Sequence, residues 1–315
     1  DAANRVAEIG SGFPNSQWKT NYETAPMNGG LGVTVSAPIE IGETDAFGIV
    51  ANVNYGNTYS MNRMTRSGLQ ADRSLQFSKS GYTAARSSNM GGLLNLAYRL
   101  GESTTFSFKN VYNRSMDDES LELYGESYSQ AQTRREFGFN YVQKELLTSQ
   151  LGGEHTVGSF NNAVVNWKLG YSETQRDEPD YRRLQYSRQS TDTQSPLAIN
   201  FSPSPTGDGT TAGRFYSDMS EYYRIASANV TLPVEASKIK FGGLYEFRNR
   251  DFTARSFTVI QSRNYAGDID GLFNTSEQGQ VDPSAAFADS NYSADRLMMS
   301  EETRLSDAYT ASERL

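Results

Sequence analysis

The amino-acid sequence predicts an all-β protein, an antiparallel transmembrane β-barrel of which this chain forms part, with about eight strands, short periplasmic turns and long extracellular loops. Three observations predict it: alternation of apolar and polar residues, a low apolar content, and connections that alternate between short and long. The alternation is sharpest at residues 163–171, where every second side chain is apolar, namely Ala163, Val165, Trp167, Leu169 and Tyr171. Because a β-strand sends successive side chains to opposite sides, this segment separates an apolar environment from water.

The same alternation recurs along the chain, in segments of the length that a tilted membrane strand needs, roughly ten residues. The clearest alternating apolar sets are Leu31, Val33, Val35, Ala37, Ile39 and Ile41; Phe47, Ile49, Ala51, Val53 and Tyr55; Leu94, Leu96, Tyr98 and Leu100; and Ile239, Phe241, Gly243, Tyr245 and Phe247. Weaker versions occupy residues 106–112, 137–141 and 226–234. Leu244 is an exception, because it falls on the polar side of its segment.

The composition agrees with a barrel and excludes several other classes. Apolar residues make up 37% of the 315 residues, which is little for a dense core but enough for a wall with one apolar face. No run approaches the roughly 20 apolar residues of a membrane helix. The 19 tyrosines and 16 phenylalanines suit aromatic girdles at the two interfaces of a membrane. A net charge of −8 argues against a nucleic-acid partner, and the absence of cysteine excludes thiolate chemistry.

The connections between the predicted strands alternate in length. Residues 42–45, 101–103 and 235–237 form tight turns, and residues 155–162 form a slightly longer one. The long polar segments between them are predicted to be loops, at residues 61–89, 114–134, 174–221 and 249–297. Short turns at one rim and long loops at the other are the asymmetry of outer-membrane barrels. The strands that follow Ala46, Ser103, Asn162 and Ser237 would then run outward, and the others inward.

Several stretches resemble consecutive barrel hairpins of TonB-dependent receptors. They are FKNVYNRSMDDESLELYGESY at 108–128, EFGFNYVQKELLTSQLGGEH at 136–155, NWKLGYSETQRDEPD at 166–180, KIKFGGLYEFRNRDF at 238–252 and SDAYTASERL at 306–315. The resemblance implies that residues 1–28 are an extracellular-loop segment and that residues 29–315 are part of the receptor barrel. Neither the plug nor the C-terminal strands of the family are recognisable, so we expect an interior fragment of the larger barrel.

The resemblance also implies a function. A TonB-dependent receptor lies in the outer membrane of a Gram-negative bacterium and takes up a scarce ligand such as a siderophore, haem, cobalamin or an oligosaccharide. It is not an enzyme and carries no cofactor. Its implied partners are outer-membrane lipid, the ligand, and the TonB energy-coupling protein, which it would reach through the N-terminal part missing here. Two alternatives stay open: a self-contained eight-stranded outer-membrane barrel or adhesin, and a secreted all-β carbohydrate-binding or hydrolytic module.

Two sets of residues are candidates for contacts with ligand or plug. Aromatic side chains in the predicted loops can stack on a sugar or siderophore ring or belong to the outer girdle, namely Tyr59, Tyr124, Tyr128, Tyr181 and Tyr186. Charged side chains predicted to face the lumen would contact a plug or tune ion selectivity, namely Arg99, Lys109, Lys168, Lys240 and Glu246.

No catalytic or metal residue is predicted, although several groups invite the question. Asp117, Asp118, Glu119 and Glu122 can bind Ca²⁺ but more simply form a solvated loop, and the GDIDG stretch at 267–271 lacks the other ligands of a Ca²⁺ loop. His155 is the only histidine and lies near a predicted turn, where we expect it to be exposed. Asp177, Glu178 and Asp180 would suit a glycosidase only across a cleft; we expect them to shape a Pro-containing loop or to pair with Arg176, Arg182 and Arg183.

Overall fold

The computed structural model describes residues 2–14, 18–201, 212–262 and 282–314, and in these residues the chain is all-β. The strands are β1 (Gly29–Ile41), β2 (Asp45–Leu69), β3 (Leu75–Leu100), β4 (Thr104–Ser127), β5 (Gln132–Val157), β6 (Ala163–Gln189), β7 (Ala198–Ile199), β8 (Ala212–Val234), β9 (Ser237–Gln261), β10 (Leu297–Glu301) and β11 (Ala308–Arg314). The described α-helices are α1 (Ala2–Ser11) and α2 (Pro283–Ala286). No described helix is long and apolar enough to cross a membrane.

The strands form one antiparallel sheet of 11 strands that does not close on itself. Its order is β1-β2-β3-β4-β5-β6-β8-β9-β10, with β7 paired to β6 and β11 paired to β9. The sheet has 11 strands where about eight were predicted; eight of them have 13 or more residues. The strand β1 begins at Gly29, where the predicted barrel portion also begins, and its outer edge has no partner among the described strands.

The strands are much longer than predicted, and most residues of the predicted long loops belong to them. The strands β2 to β6, β8 and β9 have 23–27 residues each. The predicted loop 61–89 is a continuation of β2 and β3 around a turn at 70–74, and 114–134 is a continuation of β4 and β5 around 128–131. The interpretation of these segments as loops was wrong because ladder hydrogen bonds join backbone groups, so pairing continues where the apolar alternation stops.

The two ends of the sheet differ only in part as predicted, because two of the four connections at the predicted long-loop end are tight turns. At one end, which we call the turn end, the strands are joined by residues 42–44, 101–103, 158–162 and 235–236. The opposite end, the hairpin end, carries the turns at 70–74 and 128–131 and the segments that follow β6 and β9. The antiparallel order also confirms that the strands following Ala46, Ser103, Asn162 and Ser237 share one direction.

One face of the sheet is apolar across all eight long strands in the half next to the turn end. Direct cross-strand partners share a face, and one such row runs through Ile39, Phe47, Tyr98, Phe106, Gly153, Trp167, Ala228 and Gly243. We call this side the apolar face, and the side that carries Lys168 and Lys240 the polar face. The predicted alternation is confirmed, including the place of Leu244 on the polar face. Leu244 pairs with Ser227, and Ser227 pairs with Lys168, so all three side chains share the polar face.

The apolar stretch is displaced along the strands from one side of the sheet to the other. The row that holds Tyr55 and Met90 on β2 and β3 becomes polar on the later strands, at Arg114, Glu145, Gln175 and Ser220. Nearer the turn end, the row of Thr104 and His155 becomes apolar on the later strands, at Val165, Val230 and Phe241. The apolar stretch therefore moves towards the turn end from β2 to β9.

A hydrophobic core lies at the hairpin end, on the same side of the sheet as the apolar face. Leu184, Tyr186, Phe257 and Val259 of the long strands are buried there under Trp18, Leu197, Ile199, Phe287 and Met299. The helix α1 packs on this core through Gly10, where an added Cβ would lie 2.4 Å from the Tyr292 ring. Sequence reasoning did not predict this core, because its members come from segments that are distant along the chain.

Candidate functional site

A cleft of about 640 Å³ opens at the hairpin end between β6, β8, β9 and residues 302–307. Its size falls within the roughly 300–1,000 Å³ of small-molecule sites. It is lined by Glu178, Tyr181, Arg183, Gly213, Arg214, Phe215, Ser256, Phe257, Glu302, Arg304, Ser306 and Asp307. This lining makes the cleft our candidate ligand site.

Two aromatic rings stand side by side in the cleft. Tyr181 of β6 and Phe215 of β8 are direct cross-strand partners, and Ser256 of β9 is the next residue in that row. Both rings are half-buried. The Arg183 guanidinium lies over the Tyr181 ring, 4.6 Å from its centroid. Direct partners bring their Cβ atoms within about 5.5 Å, so the two side chains leave the sheet next to each other in the lining.

A bulge in β6 decides that Tyr181 faces the cleft. One extra residue of β6 lies between the pairs Glu178–Ser217 and Tyr181–Phe215, and it coincides with Pro179. Proline has no N–H to donate to a ladder, so the pairing is interrupted there. An extra residue reverses which positions face each side of a strand. The bulge thereby places Tyr181 on the polar face, although simple alternation from Trp167 would place it on the apolar face.

The charged groups of the cleft differ in how fully they are paired. Glu178 is 7% exposed and accepts hydrogen bonds from Arg176 (2.9 Å) and the Ser217 hydroxyl (3.2 Å). Asp307 accepts from the Arg304 N–H at 2.7 Å. The Oε1 atom of Glu302 is buried and has no hydrogen-bond partner among the described residues. One carboxylate oxygen beside the cleft is therefore buried without a hydrogen bond from the described residues.

A buried arginine lies behind the cleft, with its side chain on the apolar side of the sheet. The side chain of Arg214 is 0% exposed; it lies 3.1 Å from Asp180 and donates to the Pro14 carbonyl at 2.7 Å. Its guanidinium also lies over the rings of Phe13 and Trp18, 5.2 and 5.1 Å from their centroids. The charge of Arg214 is therefore used inside the protein, where it contacts Phe13, Pro14 and Trp18.

The five candidate tyrosines occupy different places. Tyr181 lines the cleft, whereas Tyr59, Tyr124 and Tyr128 lie elsewhere on the hairpin half. The backbone N–H and carbonyl of Tyr59 are hydrogen-bonded to the Asn28 side chain. Tyr124 and Tyr128 are about half exposed. Tyr186 is 0% exposed in the hydrophobic core and cannot meet a ligand there. Burial raises the pKa of the Tyr186 hydroxyl above its ordinary value. The structure brings none of the other four beside Tyr181.

The five predicted lumen residues do share one face. Arg99, Lys109, Lys168, Lys240 and Glu246 all lie on the polar face. Lys109 and Lys168 line a shallow depression of about 260 Å³ with Gln150 and Asn166. The four cations of this set, Arg99, Lys109, Lys168 and Lys240, form no ion pair among the described residues. The cleft opens on this same polar face. Ser227 of β8 pairs with Lys168 on the polar face, and Phe215 lies an even number of positions from Ser227, so it faces the same side.

The acidic candidates are structural. Arg176 pairs with Glu178 at 2.9 Å and Arg182 with Asp180 at 3.5 Å, as predicted for this segment. The segment belongs to strand β6, however, and is not a loop. Asp117 accepts from the Ser87 hydroxyl at 2.7 Å, and no group of three or more metal-ligating side chains occurs among the described residues. The GDIDG stretch lies outside the described residues.

His155 is half-buried, contrary to the expected exposure. Its Nε2 accepts a hydrogen bond from the Trp167 Nε1 at 2.9 Å, and its ring meets Phe106 edge-on at 5.3 Å between centroids. This group lies at the turn end of the apolar face, remote in the sheet from the cleft. The histidine therefore supports the packing of Trp167.

The comparisons with known proteins identify no relative. No protein-family model, no curated protein and no solved structure matches the chain. What the fold defines is a class: an open antiparallel sheet of long strands with one apolar and one polar face.

Sequence reasoning missed Phe215 and Glu302 as members of the site. Phe215 is separated from Tyr181 by 34 positions of chain, and only the β6–β8 pairing brings the rings together. Glu302 enters the cleft because its N–H donates to the Ser256 carbonyl at 2.8 Å, which fixes residues 302–307 against β9. Neither residue belongs to a local motif that could have signalled it.

Proposed function

We propose that this chain is a wall segment of an outer-membrane receptor of the TonB-dependent type, which takes up a scarce ligand into a Gram-negative bacterium. The observation that carries the proposal is the apolar face, which extends over eight strands and remains open to the surroundings. Val33 is 62% exposed and Phe241 is 55% exposed. An apolar face of this extent on a folded protein requires an apolar surrounding, and lipid is one that barrels use.

The dimensions of the apolar face support lipid as that surrounding. On β2 it runs from Phe47 to Tyr55, nine residues, which falls within the roughly 9–11 residues that a tilted strand needs to cross a membrane. Aromatic side chains lie near both of its borders: Phe47, Tyr98 and Phe106 towards the turn end, and Tyr55, Tyr112, Tyr171 and Tyr222 towards the hairpin end. Outer-membrane barrels carry an apolar band about 25 Å tall between two aromatic girdles.

The displacement of the apolar stretch across the sheet is a second support. Strands of a barrel are tilted by roughly 35–45° to its axis, so each strand crosses a flat membrane at a different register from its neighbour. A band that follows the membrane must then shift along the rows of direct partners, as the row from Tyr55 to Ser220 does. The core of a soluble sandwich is not bounded by a flat membrane, so this displacement is not expected there.

The position of the cleft fits an uptake role. It lies at the hairpin end, beyond the apolar face, and opens on the polar face. In a receptor barrel this is the extracellular mouth, and the polar face below it lines the path inward. The unpaired cations Lys109, Lys168 and Lys240 would then meet either a plug or water.

The two alternatives find less support in the sheet. A sandwich needs a second sheet over the apolar face, whereas all the described strands belong to one sheet. A self-contained barrel of eight strands needs β1 to pair with the last strands, and the described partners of β9 are β8, β10 and β11. The described strand pairing therefore supports neither a two-sheet sandwich nor a closed eight-stranded barrel.

Site-directed spin labelling tests the proposal directly, because the chain has no cysteine of its own. We would place single cysteines at each position from Val165 to Tyr171 in the full chain, reconstituted in lipid vesicles, and measure quenching by oxygen and by a water-soluble nickel chelate. Oxygen should be the stronger quencher at Leu169 and the chelate at Lys168. Oxygen accessibility should alternate with a period of two residues.

A protein that stays in solution without detergent, with both positions quenched alike by the chelate, would contradict the proposal. Energy coupling needs a separate measurement in cells that carry the whole gene. Uptake of the ligand should stop when the TonB gene is deleted. Uptake that continues unchanged would contradict energy coupling and indicate a passive barrel.

A further inference from the structure

The only histidine of the chain, His155, lies on the apolar face near the turn end of β5. It follows Gly153 by two residues, so both positions face the same side of the strand. Its direct partners are Thr104 on β4 and Val165 on β6. His155 and Trp167 are both half-buried, so the imidazole is packed in the sheet and still within reach of protons from water.

The hydrogen bonds of the imidazole define its protonation state. An indole N–H can donate a hydrogen bond but cannot accept one. The Trp167 Nε1 atom lies 2.9 Å from the His155 Nε2 atom, so Nε2 must offer a lone pair. The proton of the neutral imidazole is then on Nδ1, which lies 3.3 Å from the Thr104 hydroxyl oxygen. The geometry therefore requires an uncharged His155 with its proton on Nδ1.

Protonation of His155 is incompatible with this arrangement. A proton from water would occupy the Nε2 lone pair, and both ring nitrogens would then be donors. Two N–H groups would face each other across the 2.9 Å between Trp167 and His155. The two ring centroids are 6.4 Å apart, beyond the roughly 6 Å within which an aromatic face attracts a cation, so the indole does not offset this loss. Phe106, at 5.3 Å, contacts the imidazole in either state.

His155 forms no ion pair among the described residues. The side chains that face it from β4 and β6 are all uncharged, namely Thr104, Phe106, Val165 and Trp167. Asp45 and Tyr98 share the apolar face but lie on β2 and β3, where the Tyr98 hydroxyl donates to Asp45 at 3.2 Å. Glu154 is on the polar face, and Glu102 is in the turn before β4. The charge state of His155 is therefore read mainly by Trp167.

We propose that His155 and Trp167 form a pH-sensitive latch at the turn end of the sheet. With His155 neutral, its Nε2 atom holds the indole in the space that Gly153 leaves free. With His155 protonated, the indole loses its acceptor and leaves this position. Histidine is the side chain that ordinarily changes charge between about pH 5 and 8, so mild acidification is the condition that opens the latch.

The latch goes beyond the proposed function and does not rest on it, because its contacts lie within β4, β5 and β6. In the proposed receptor the turn end faces the periplasm, and the latch would make the packing of the sheet respond to the acidity of that compartment.

Two NMR signals from one sample test the latch. The chain has two tryptophans, so Trp18→Phe leaves Trp167 as the only indole. The full chain in detergent micelles, with histidine and tryptophan labelled with nitrogen-15, then gives one indole N–H signal and the ring-nitrogen signals of His155. At about pH 8 the histidine signals should show a protonated Nδ1 and a bare Nε2. The unsubstituted chain, with both indole signals, checks that Trp18→Phe keeps the fold.

Acidification should change both signals together. Between about pH 8 and about pH 5 the His155 Nε2 atom should take up a proton, and the indole proton of Trp167 should move upfield with the same midpoint as its hydrogen bond is lost. His155→Gln is the matched control. The glutamine Oε1 can accept the indole N–H but does not titrate, so the indole signal should keep its position in this range.

Four results would overturn the latch. They are a histidine protonated on Nε2 at about pH 8, a histidine that stays neutral down to about pH 5, an indole signal that stays fixed while the histidine titrates, and an indole signal that moves equally in His155→Gln. The first three need only the Trp18→Phe chain and hold even where His155→Gln fails to fold. All four are independent of the spin-label pattern that tests lipid contact.

Discussion

The indole ring of Trp167 lies directly over Gly153 on the neighbouring strand. A Cβ at Gly153 would stand 2.4 Å from the Trp167 Nε1 atom, closer than any real contact. The two residues are direct partners of β5 and β6 on the apolar face. The glycine thus creates the space in which the tryptophan lies flat against the sheet and reaches His155.

Replacement of Gly153 by alanine should therefore displace Trp167. We expect a loss of about 1–3 kcal/mol in the free energy of unfolding, measured by urea titration in detergent micelles. Gly243 is a matched control, since it lies in the same row of direct partners and an added Cβ would meet nothing within 4 Å. Gly243→Ala should be neutral within about 0.5 kcal/mol, and equal effects at both positions would refute the steric explanation.

A charge at Trp167 should prevent membrane assembly. Trp167→Asp places a carboxylate on the face that we assign to lipid, whereas Asn166→Asp places the same group on the polar face. The fraction of chain recovered in the outer membrane, resistant to extraction by urea, should fall at least about tenfold for Trp167→Asp. Equal recovery of the two variants would count heavily against lipid contact.

Removal of the buried Arg214 should loosen the contacts of Phe13, Pro14 and Trp18 with the sheet. Arg214→Met should cost about 3 kcal/mol, because it removes the fully buried one of the two arginines that pair with Asp180 and the donor to the Pro14 carbonyl. The chain has only two tryptophans, so Trp18 can be followed alone in a Trp167→Phe background. Its fluorescence should shift to the red as it leaves the stack with Phe287, whose centroid is 4.6 Å away.

Arg255 provides the contrasting control for that experiment. Its ion pair with Glu301 has a short N–O distance of 2.9 Å, but the two side chains are 60% and 42% exposed. Solvent screens such a pair, so Arg255→Met should change stability by less than about 1 kcal/mol. If Arg214→Met proves equally mild, the buried cluster is not what holds the N-terminal segment.

Alkaline pH should destabilise the protein through Tyr186. Burial raises the pKa of its hydroxyl in the folded state, so above the ordinary tyrosine value of about 10 the unfolded chain loses this proton while the folded chain keeps it. Stability contributed by the neutral hydroxyl is fully present below about pH 10 and falls as the pH rises further. The measurement is the urea midpoint of the wild type and of Tyr186→Phe between about pH 8 and 11.

The Tyr186→Phe variant should lose less stability with rising pH than the wild type. At neutral pH it should be as stable or slightly more stable, since the Tyr186 hydroxyl is buried with no hydrogen-bond partner among the described residues. The exposed Tyr128 is the control, and Tyr128→Phe should follow the wild type at every pH. Parallel curves for all three proteins would exclude Tyr186 as the source of alkaline sensitivity.

The sequence by itself determined the strand class, the number of long strands and the face of each side chain near the turn end. These features are local, because alternation in residues such as 163–171 or 239–247 reports which side of one strand meets water. The shared face of Lys109, Lys168 and Lys240 was predictable for the same reason. Connection lengths likewise predicted which strands run in the same direction.

Only the tertiary structure decided the length of the strands, the core at the hairpin end and the composition of the cleft. Backbone pairing carries β2 to Leu69 and β6 to Gln189 through polar residues that show no apolar alternation. The extra residue at Pro179 reverses the alternation, so the pattern that places Trp167 correctly would misplace Tyr181. Side chains from distant segments, such as Phe215 and Glu302 beside Tyr181, meet only through the cross-strand ladder, whose register no local pattern contains.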